Sequence, residues 1–518
     1  MSYPWLTTLG VVPLVGAAVV LVIPKTRELL AKQVALAFSL ITLVLTVVMA
    51  TQFKAAGPAA GGQFQFVENH SWIKAFGISY AVGVDGVALV LIAMSAVLVP
   101  VVVLASWHEA DNARRPVRLY FALLLILETF MIGVFAATDV FLFYVFFEAM
   151  LIPVYFLIGS FGGVQRSYAA VKFLLYSLLG GLLMLAALIG LYVVSVHQLH
   201  TGTFEYAQLL GLHISATTQK WLFLGFFAAF AIKAPLWPFH TWLPDAAAES
   251  TPGTAVLLVG VLDKVGTFGM IRLCLPLFPQ ASKYFTPAIL VLAVVGILYG
   301  ALVAIGQTDM MRLVAYTSLS HFGFITLGIF AMTSQGQSGS TLYMVNHGFS
   351  TAGLFIVGGF LVRRRGSRLI ADYGGVQRVA PLLAGTFLVM GLASLALPGL
   401  SSFVSEFLVL VGTYTRYPAF AVLATLGIVL AAIYVLFWYQ RVATGPASEK
   451  VRGFRDLGGR EMLAVVPLVA LIVALGFFPK PLLDVINPAV GRTLHQVGRT
   501  DPVPPVPVSQ PALAGSVR

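Results

Sequence analysis

The sequence has 518 residues, of which 59% are hydrophobic and only 10% are charged; this composition excludes a soluble domain and indicates an integral membrane protein. The formal net charge of +11 does not indicate nucleic-acid binding, because the basic residues lie in short loops between apolar segments, which is typical of membrane topology. The single cysteine, Cys274, excludes disulfide frameworks, iron–sulfur ligation and cysteine zinc sites within this chain.

Apolar runs long enough to cross a hydrocarbon core follow one another along the chain. Because a membrane helix needs about 20 such residues, they predict an all-α polytopic membrane protein with about fourteen spans. The predicted spans, numbered one to fourteen, are residues 4–23, 31–51, 80–106, 117–137, 139–160, 168–195, 221–241, 252–274, 285–305, 308–331, 341–362, 381–415, 419–440 and 462–479.

Lysine and arginine are concentrated in the loops that join odd-numbered to even-numbered spans. The positive-inside rule then predicts that these loops are cytoplasmic and that both termini face the exterior. Segments 52–79 and 196–220 become exterior loops, in which short strands or interfacial helices are expected. The basic residues concerned are Lys25, Arg27, Lys32, Arg114, Arg115, Arg118, Arg166, Lys172, Arg312, Arg363, Arg364, Arg365, Arg368, Arg378, Arg441, Lys450, Arg452, Arg455 and Arg460.

Two spans carry helix-breaking residues near their middle. The stretch "FAAFAIKAPLWPFHTWLPDAAAESTPG", which includes the end of span seven, contains Pro235, Pro238 and Pro244, and span twelve contains the pair Pro398-Gly399. Proline removes an amide donor and clashes with the preceding turn, so each helix should break where protein or water satisfies the freed carbonyls. The breaks lie five spans apart, which predicts an inverted repeat of spans four to eight against spans nine to thirteen and indicates a transport site. Packing kinks alone are the alternative.

This repeat divides the chain into five predicted parts. The ranges are 1–116 for spans one to three with an exterior loop, 117–274 for the first repeat, 285–440 for the second repeat, 441–479 for a basic cytoplasmic loop with span fourteen, and 480–518 for a Pro-rich exterior tail. The end of that tail, "DPVPPVPVSQPALAGSVR", is almost uncharged and is expected to be extended or disordered.

Six of the ionisable residues inside the predicted spans are candidate functional residues. An ionisable group at mid-bilayer costs roughly 2.5 to 3.5 kcal/mol, so the two Glu and two Lys alone cost on the order of 10 kcal/mol and indicate a task rather than a structural need. The residues are Glu148 in span five, Lys233 at the break in span seven, Lys264 in span eight, His321 in span ten, His347 in span eleven and Glu406 just after the break in span twelve.

The order of these residues suggests a proton path. Glu148 and Lys233 could form one buried pair whose opening releases a proton from the lysine. Lys264, the two histidines and Glu406 could then carry protons laterally through the middle of the membrane, bridged by water. The alternatives are that the Glu–Lys pair is a structural or assembly contact and that each histidine is a hydrogen-bonded packing residue.

Four other acidic residues in or near the spans are not assigned to the proton path. Asp85, Asp139 and Asp263 are expected to be capping or solvated groups near span ends. Glu128 lies deeper, and both a place on the path and a pairing with a neighbouring helix or subunit are left open. Around Lys264, three glycines at positions 260, 266 and 269 leave room for close helix packing or for water.

Long motifs in spans five to eleven give a resemblance to a known family. "DVFLFYVFFEAMLIPVYFLIG", "AIKAPLWPFHTWLPDAAAESTPGTAVLLVGVLDKVGTFGMIR", "DMMRLVAYTSLSHFGF" and "NHGFSTAGLF" resemble the antiporter-like proton-translocating subunits of respiratory complex I, a family shared with multisubunit cation/proton antiporters. The resemblance extends from about span three through span thirteen. Within the family, Glu406 favours the M, or chain 4, branch, because the L and N subunits and the antiporter subunits typically have lysine there.

The resemblance carries further expectations for individual residues. It implies fourteen helices with two inverted five-helix repeats, an essential glutamate at Glu148 with Lys233 as its partner, and a central lysine at Lys264. His321 and His347 become the connecting histidines and Glu406 the proton-exit carboxylate.

The resemblance also implies which cofactors, partner subunits and membrane accompany this chain. FMN, iron–sulfur clusters and quinone are expected in partner subunits, with no cofactor or metal in this chain and no nucleic-acid partner. The expected partners are the neighbouring L and N subunits and the lipid bilayer of the inner (plasma) membrane. The predicted function is outward proton translocation coupled to quinone reduction elsewhere in an NADH:quinone oxidoreductase.

The sequence leaves three other functions to consider. A subunit of a multisubunit sodium/proton antiporter or of a membrane-bound hydrogenase shares the same core and is the main alternative. A purely structural membrane subunit conflicts with the density of buried ionisable groups. Membrane-embedded hydrolysis lacks a nucleophile–base pair or a His-rich metal motif.

Overall fold

The structure, a computed structural model, describes residues 3–55, 63–111 and 115–503 and is mostly helical. Helices dominate because, without water, the backbone groups of a membrane segment must be satisfied within the segment itself. Arg114, one of the predicted topology signals, and residues 504–518, which hold most of the predicted extended tail, lie outside the described residues.

The N-terminal part of the chain combines three long helices with a small sheet. Its elements are α1 Trp5–Val22, α2 Glu28–Gln52, β1 Gln65–Ile73, β2 Ile78–Val84 and α3 Gly86–Ala105, with a 3-10 turn at Lys74–Phe76. The two strands pair antiparallel, with His70 opposite Tyr80, which confirms that segment 52–79 contains strand structure. Asp85 caps α3 by accepting a hydrogen bond from the Ala88 amide (3.0 Å), as expected for this residue.

The next group contains the first break. Its helices are α4 Val117–Ala136, α5 Val140–Ala149, α6 Leu151–Phe161, α7 Arg166–Leu199, α8 Tyr206–Leu209, α9 Ala216–Lys233, α10 Trp242–Glu249, α11 Pro252–Leu257, α12 Asp263–Gly269 and α13 Leu275–Leu277. Two π-helical segments, Leu258–Leu262 and Met270–Cys274, join α11, α12 and α13 into one helical run. Such π segments are rare and are frequent at functional sites.

The last group contains the second break and an additional C-terminal helix. Its helices are α14 Pro279–Ile305, α15 Met310–Ala331, α16 Ser334–Arg365, α17 Val376–Val379, α18 Pro381–Ser394, α19 Ser401–Tyr414, α20 Pro418–Ala443, α21 Gly459–Phe477 and α22 Lys480–Val497, with a 3-10 turn at Ile370–Asp372. The predicted tail region therefore begins with a helix, α22, that the sequence reading did not identify. A methyl group on Gly86 would overlap the Val485 carbonyl, so α22 packs directly on the start of α3.

Within the described residues, twelve helical segments are long and apolar enough to cross a membrane. They coincide with all of the predicted spans except seven and twelve. Those two spans are the interrupted ones, in which a pair of shorter helices replaces one long helix.

Both predicted breaks are present. In span seven, α9 ends at Lys233 and α10 begins only at Trp242. The carbonyls freed there find donors: the Leu236 amide bonds Ala231 O (2.9 Å), and the Trp242 indole N–H bonds Ile232 O (2.9 Å). In span twelve, α18 and α19 are separated at 395–400. The broken backbone is thus satisfied by protein groups, as a buried irregular segment requires.

The second helices of the two groups begin in matching ways. Asp139 caps α5 and Asp309 caps α15, each through a side-chain oxygen that accepts backbone N–H groups. Asp139 also forms an isolated antiparallel bridge with Glu205, and Asp309 forms one with Leu369. Glu205 follows the long helix α7, and Leu369 follows the long helix α16. The capping role expected for Asp139 is confirmed.

Candidate functional site

Glu148 lies at the end of α5, where the span is kinked. Pro153 cannot donate a hydrogen bond to the carbonyl one turn earlier, so α5 ends at Ala149 and α6 begins at Leu151. The carboxylate is half-buried and faces α7 at Gly181, where a methyl group would overlap its Oε1 atom. A glycine at this position therefore makes the space that the glutamate occupies.

Lys233 is the last residue of α9 and borders the first break. Its side chain is only 1% exposed. The ammonium lies 4.9 Å from the centroid of the Phe147 ring and 5.8 Å from that of Phe173, so aromatic faces provide its favourable contacts. Within the described part of the chain, Nζ has no hydrogen-bond partner.

Glu148 and Lys233 are neighbours but are not joined. Phe147, whose ring centroid lies 4.9 Å from the ammonium of Lys233, immediately precedes Glu148 in the chain. However, both Lys233 Nζ and Glu148 Oε1 lack a hydrogen-bond partner among the described residues, and the predicted direct ion pair is not formed. The arrangement is that of an opened pair.

Lys264 lies in α12, directly after a π-helical segment. It is completely buried, and its ammonium donates to Val259 O (2.5 Å) and to Nδ1 of His347 (2.7 Å). The ring of Phe322 lies 5.2 Å away. The predicted central lysine and one predicted connecting histidine are therefore in direct contact.

The contacts continue from His347 towards Glu406. The rings of His347 and His321 meet edge to face, with 5.1 Å between their centroids. His321 Nε2 lies 3.4 Å from the hydroxyl of Tyr434, and its ring lies 5.8 Å from the ring of Tyr343. Tyr343 in turn donates its hydroxyl hydrogen to Oε2 of Glu406 (2.8 Å).

Together these side chains form a path through the buried interior. We call it the buried line; its first half is Glu148 and Lys233, and its second half is Lys264, His347, His321 and Glu406. Its second half runs through α12, α16, α15 and α19 without leaving the protein core. Amines, imidazoles and carboxylates can each hold and release a proton, so this arrangement suits proton transfer. Asn346 supports it by donating to Ser401 O (2.6 Å) at the start of α19.

Two tyrosines that contact the buried line are not identified by the sequence analysis. Tyr343 lies four residues before His347 on α16, a spacing that puts both on one helix face. That spacing could have identified Tyr343. Tyr434 gives no comparable signal, because its contact with His321 comes from α20, which is distant in sequence.

The expected role of Asp263 as a capping or solvated group is wrong, and Glu128 is fully buried. Asp263 was expected to be a capping or solvated group near a span end. It instead lies within the helical run Pro252–Leu277 and is 0% exposed, because the span continues on both sides of it. Glu128 is likewise 0% exposed in α4, and in the described part of the chain neither of its oxygens has a hydrogen-bond partner.

The predicted glycine packing around Lys264 is present. A methyl group on Gly266 would lie 2.5 Å from both Phe230 O and the Ala234 amide nitrogen, and one on Gly269 would collide with the Phe230 ring. The glycines thus let α12 approach α9 closely. Over residues 3–55, 63–111 and 115–503, no group of three or more His, Cys, Asp or Glu side chains could hold a metal ion.

Comparisons with known proteins agree with this geometry. A family model described as "NADH:quinone oxidoreductase/Mrp antiporter, TM" matches residues 137–431, more than half of the chain. A second model, described as "NADH-ubiquinone oxidoreductase chain 4, amino terminus", matches residues 11–134. The chain is similar to NADH-quinone oxidoreductase subunit M of Mycobacterium tuberculosis (strain ATCC 25618 / H37Rv), with 54% identity covering 99% of this chain and 98% of the relative.

Solved structures show the same fold. A chain of respiratory complex I from Thermus thermophilus with bound NADH matches with a TM-score of 0.86 and 32% identity, covering 95% of this chain and 100% of that one. A chain of the Mrp complex from Dietzia sp. DQ12-45-1b matches with a TM-score of 0.83 and 22% identity, covering 96% and 100%. At that lower identity the likeness concerns the fold alone.

Proposed function

The chain belongs to the NADH:quinone oxidoreductase/Mrp antiporter family of membrane subunits, in its subunit M (chain 4) branch, and on this premise we propose that it translocates protons in the membrane arm of an NADH–quinone oxidoreductase. The observation that supports this proposal most strongly is the buried line. In its second half, hydrogen bonds and ring contacts connect Lys264 to Glu406 inside the protein core. Such groups are costly in a membrane and are retained where they transfer protons.

We propose that the first half of the line is the switch. The Lys233 ammonium lies against the ring of Phe147, the residue before Glu148, but in the described structure it makes no hydrogen bond to the carboxylate. A change in a neighbouring subunit that closes or opens this pair would alter the charge felt by Lys233 and pass a proton towards Lys264. Protons would then leave through His347, His321 and Glu406. FMN, iron–sulfur clusters and quinone belong, in this proposal, to partner subunits.

The proposed architecture has fourteen spans in which the first repeat, 117–274, is inverted relative to the second, 285–440. The two breaks support it, since each lies in the fourth span of its repeat. The matching bridges at Asp139 and Asp309 give independent support, because each joins the start of the second span to the segment after the third. Paired broken helices of this kind mark transport sites. The remaining proposed parts are 1–116, 441–479 and 480–518.

The proposed orientation puts both termini outside the cell membrane. Ion pairs support it by gathering basic residues at one end of the helices: Lys172 with Asp245 (2.7 Å) and Arg364 with Glu461 (2.6 Å). Arg368 adds a contact to Glu249 at the same end. By the positive-inside rule that end is cytoplasmic. The proposed neighbours in the membrane are the L and N subunits.

A cation/proton antiporter subunit is the second candidate function. It is favoured by the fold shared with the Mrp complex chain, at a TM-score of 0.83. The two functions separate on purification. A subunit of NADH–quinone oxidoreductase co-purifies with flavin and iron–sulfur subunits, whereas an antiporter subunit does not.

The proposal is tested on inverted membrane vesicles from cells that carry chromosomal Glu148→Gln. NADH-driven quinone reduction and acidification of the vesicle lumen are recorded together, beside the parent and the matched control Glu449→Gln, whose side chain is 90% exposed. Both rates should fall in Glu148→Gln, with normal assembly, and stay parental in Glu449→Gln. Parental rates in Glu148→Gln would contradict the proposal and bring the antiporter function forward.

A further inference from the structure

Asp263 is a buried carboxylate without a direct bonding partner. Its side chain is 0% exposed in the middle of the helical run Pro252–Leu277. Among the described residues neither of its oxygens accepts a hydrogen bond. A carboxyl group in such a place costs several kcal/mol as an ion (roughly 2.5 to 3.5 on insertion scales). Packing alone does not require it, and Asp263 is also not at a helix end that it could cap.

One face of α12 packs on the helix that carries Lys233. Gly266 and Gly269 abut Phe230 and Ala234, the residues on either side of the end of α9. Because these glycines lack side chains, the two helix backbones come close together. Lys233 lies between Phe230 and Ala234 in sequence, so this face of α12 is directed at the first half of the buried line.

The adjacent face of α12 packs on α16. Lys264 contacts His347 (2.7 Å), and the Thr267 hydroxyl contacts the Met344 sulfur (2.9 Å). Asp263 is three residues before Gly266 and four before Thr267, the spacings of neighbouring positions on a helix surface. It therefore lies at the seam between the two faces, where the two halves of the buried line meet.

The two halves are otherwise unconnected at this point. In the described structure Lys233 Nζ makes no hydrogen bond, and Lys264 Nζ is directed to Val259 O and His347. A carboxylate at the seam lies between the face of α12 that packs on the helix carrying Lys233 and the face that carries Lys264.

We propose that Asp263 relays protons between Lys233 and Lys264. In the first step the Lys233 ammonium gives its proton to the Asp263 carboxylate, which leaves a neutral amine and a carboxylic acid. In the second step the acid gives that proton to the neutral amine of Lys264, which restores the carboxylate and forms an ammonium. No other reactant is consumed. The inference rests on the proposed function, since it adds a member to the buried line.

The test compares assembled complexes in inverted vesicles. The variants are Asp263→Asn, which keeps the shape but cannot carry a proton, Asp263→Glu, which keeps the carboxyl group, and the exposed control Asp484→Asn. Asp263→Asn should lower NADH-driven quinone reduction and lumen acidification by about tenfold or more. Asp263→Glu should regain most of the parental rate, and Asp484→Asn should match the parent.

A second readout separates a relay from a structural role. In Asp263→Glu the carboxyl group is displaced by one methylene. Proton transfer there should become slower and contribute more to the turnover time, so the solvent deuterium isotope effect should exceed the parental one. Parental rates in Asp263→Asn, or lowered rates that Asp263→Glu does not recover, would overturn the relay. If Asp263→Asn does not assemble, an unchanged isotope effect in Asp263→Glu overturns it.

Glu148→Gln is measured in the same preparation. If Glu148→Gln loses activity while Asp263→Asn keeps it, the relay is wrong and the proposed function stands. If both variants keep parental rates, the proposed function itself is wrong.

Discussion

The two halves of the buried line differ in how their polar groups are connected. In the second half, Lys264 bonds His347, the two histidine rings touch, and Tyr343 bonds Glu406. In the first half, Lys233 contacts aromatic rings instead of a polar partner within the described structure. The side chains of the second half are therefore already in contact with one another. In the proposed function, the first half needs a rearrangement before it can transfer a proton.

This difference assigns separate tasks to the halves. In the proposed function, the side chains of the second half, which already touch, pass the proton on and are a poor place for control. A separated Glu–Lys pair responds to small changes in distance, because the energy of two charges in a low-dielectric interior changes steeply with their separation. The first half is thus suited to receive a signal from a neighbouring subunit, and the second half to pass the proton on.

The largest expected effect comes from Lys264→Met, which removes the group at which the second half begins. Methionine keeps the length of the side chain but cannot carry a proton, and it leaves Val259 O and His347 Nδ1 without their donor. Lumen acidification and quinone reduction should fall by about 100-fold. Lys480→Met, at a side chain that is 82% exposed, should match the parent. Equal rates in the two variants would show that the halves are not joined at Lys264.

The first half can be disturbed without changing an ionisable residue. In Gly181→Ala the added methyl group overlaps Glu148 Oε1 and pushes the carboxylate from its place on α7. Rates should fall about tenfold, equivalent to about 1.4 kcal/mol of overpacking. The control is Gly385→Ala, since a methyl group there meets nothing within 4 Å. If both alanine variants pump at the parental rate, the position of the Glu148 carboxylate does not affect pumping.

A smaller effect is expected from a single hydrogen bond in the second half. Tyr343→Phe removes the hydroxyl that donates to Glu406 Oε2 and keeps the ring beside His321. The loss of one such bond is worth about 1 kcal/mol, so the rates should fall about fivefold. Tyr414→Phe, at a ring that is 56% exposed, serves as the control. If the rates fall more in Tyr343→Phe than in Gly181→Ala, the assignment of the switch to the first half is wrong.

The smallest effect is expected outside both halves, at Asp372. Hydrogen bonds from Ser367 and Lys450 hold the pKa of this carboxyl below its usual value. A lowered folded-state pKa stabilises the protein above the unfolded pKa, and this contribution is lost as the pH falls through the folded pKa. Asp372→Asn should therefore pump normally and show slightly lower thermal stability at pH 7, with the difference vanishing in acid. A constant difference across pH would contradict this origin.

The sequence was informative where residue chemistry alone determines structure. Runs of apolar residues predicted the positions of the long helices, and Pro235 and Pro398 predicted both breaks, because a missing amide acts locally. The connection of Lys264 to His347 was expected only as part of a water-bridged chain, and the structure brings the two into direct contact. Spans seven and twelve do not appear as single long helices.

Features that depend on side-chain packing between distant segments were not predictable. The Lys233 ammonium lies 4.9 Å from the centroid of the Phe147 ring and makes no hydrogen bond to Glu148 in the described structure. Tyr434 reaches His321 from a helix more than a hundred residues away. Asp263 was misassigned because its position relative to the span ends was misjudged. Helix α22 was missed because its residues belong to a segment read as a tail.

The most direct test of a continuous buried line is made at Glu406, the end farthest from the proposed switch. Vesicles carrying Glu406→Gln are compared with the parent and with Glu449→Gln, and NADH-driven quinone reduction and lumen acidification are recorded together in assembled complexes. If protons must traverse the line, both rates fall in Glu406→Gln although Glu148 and Lys233 are intact. Parental rates in Glu406→Gln would show that protons leave by another route.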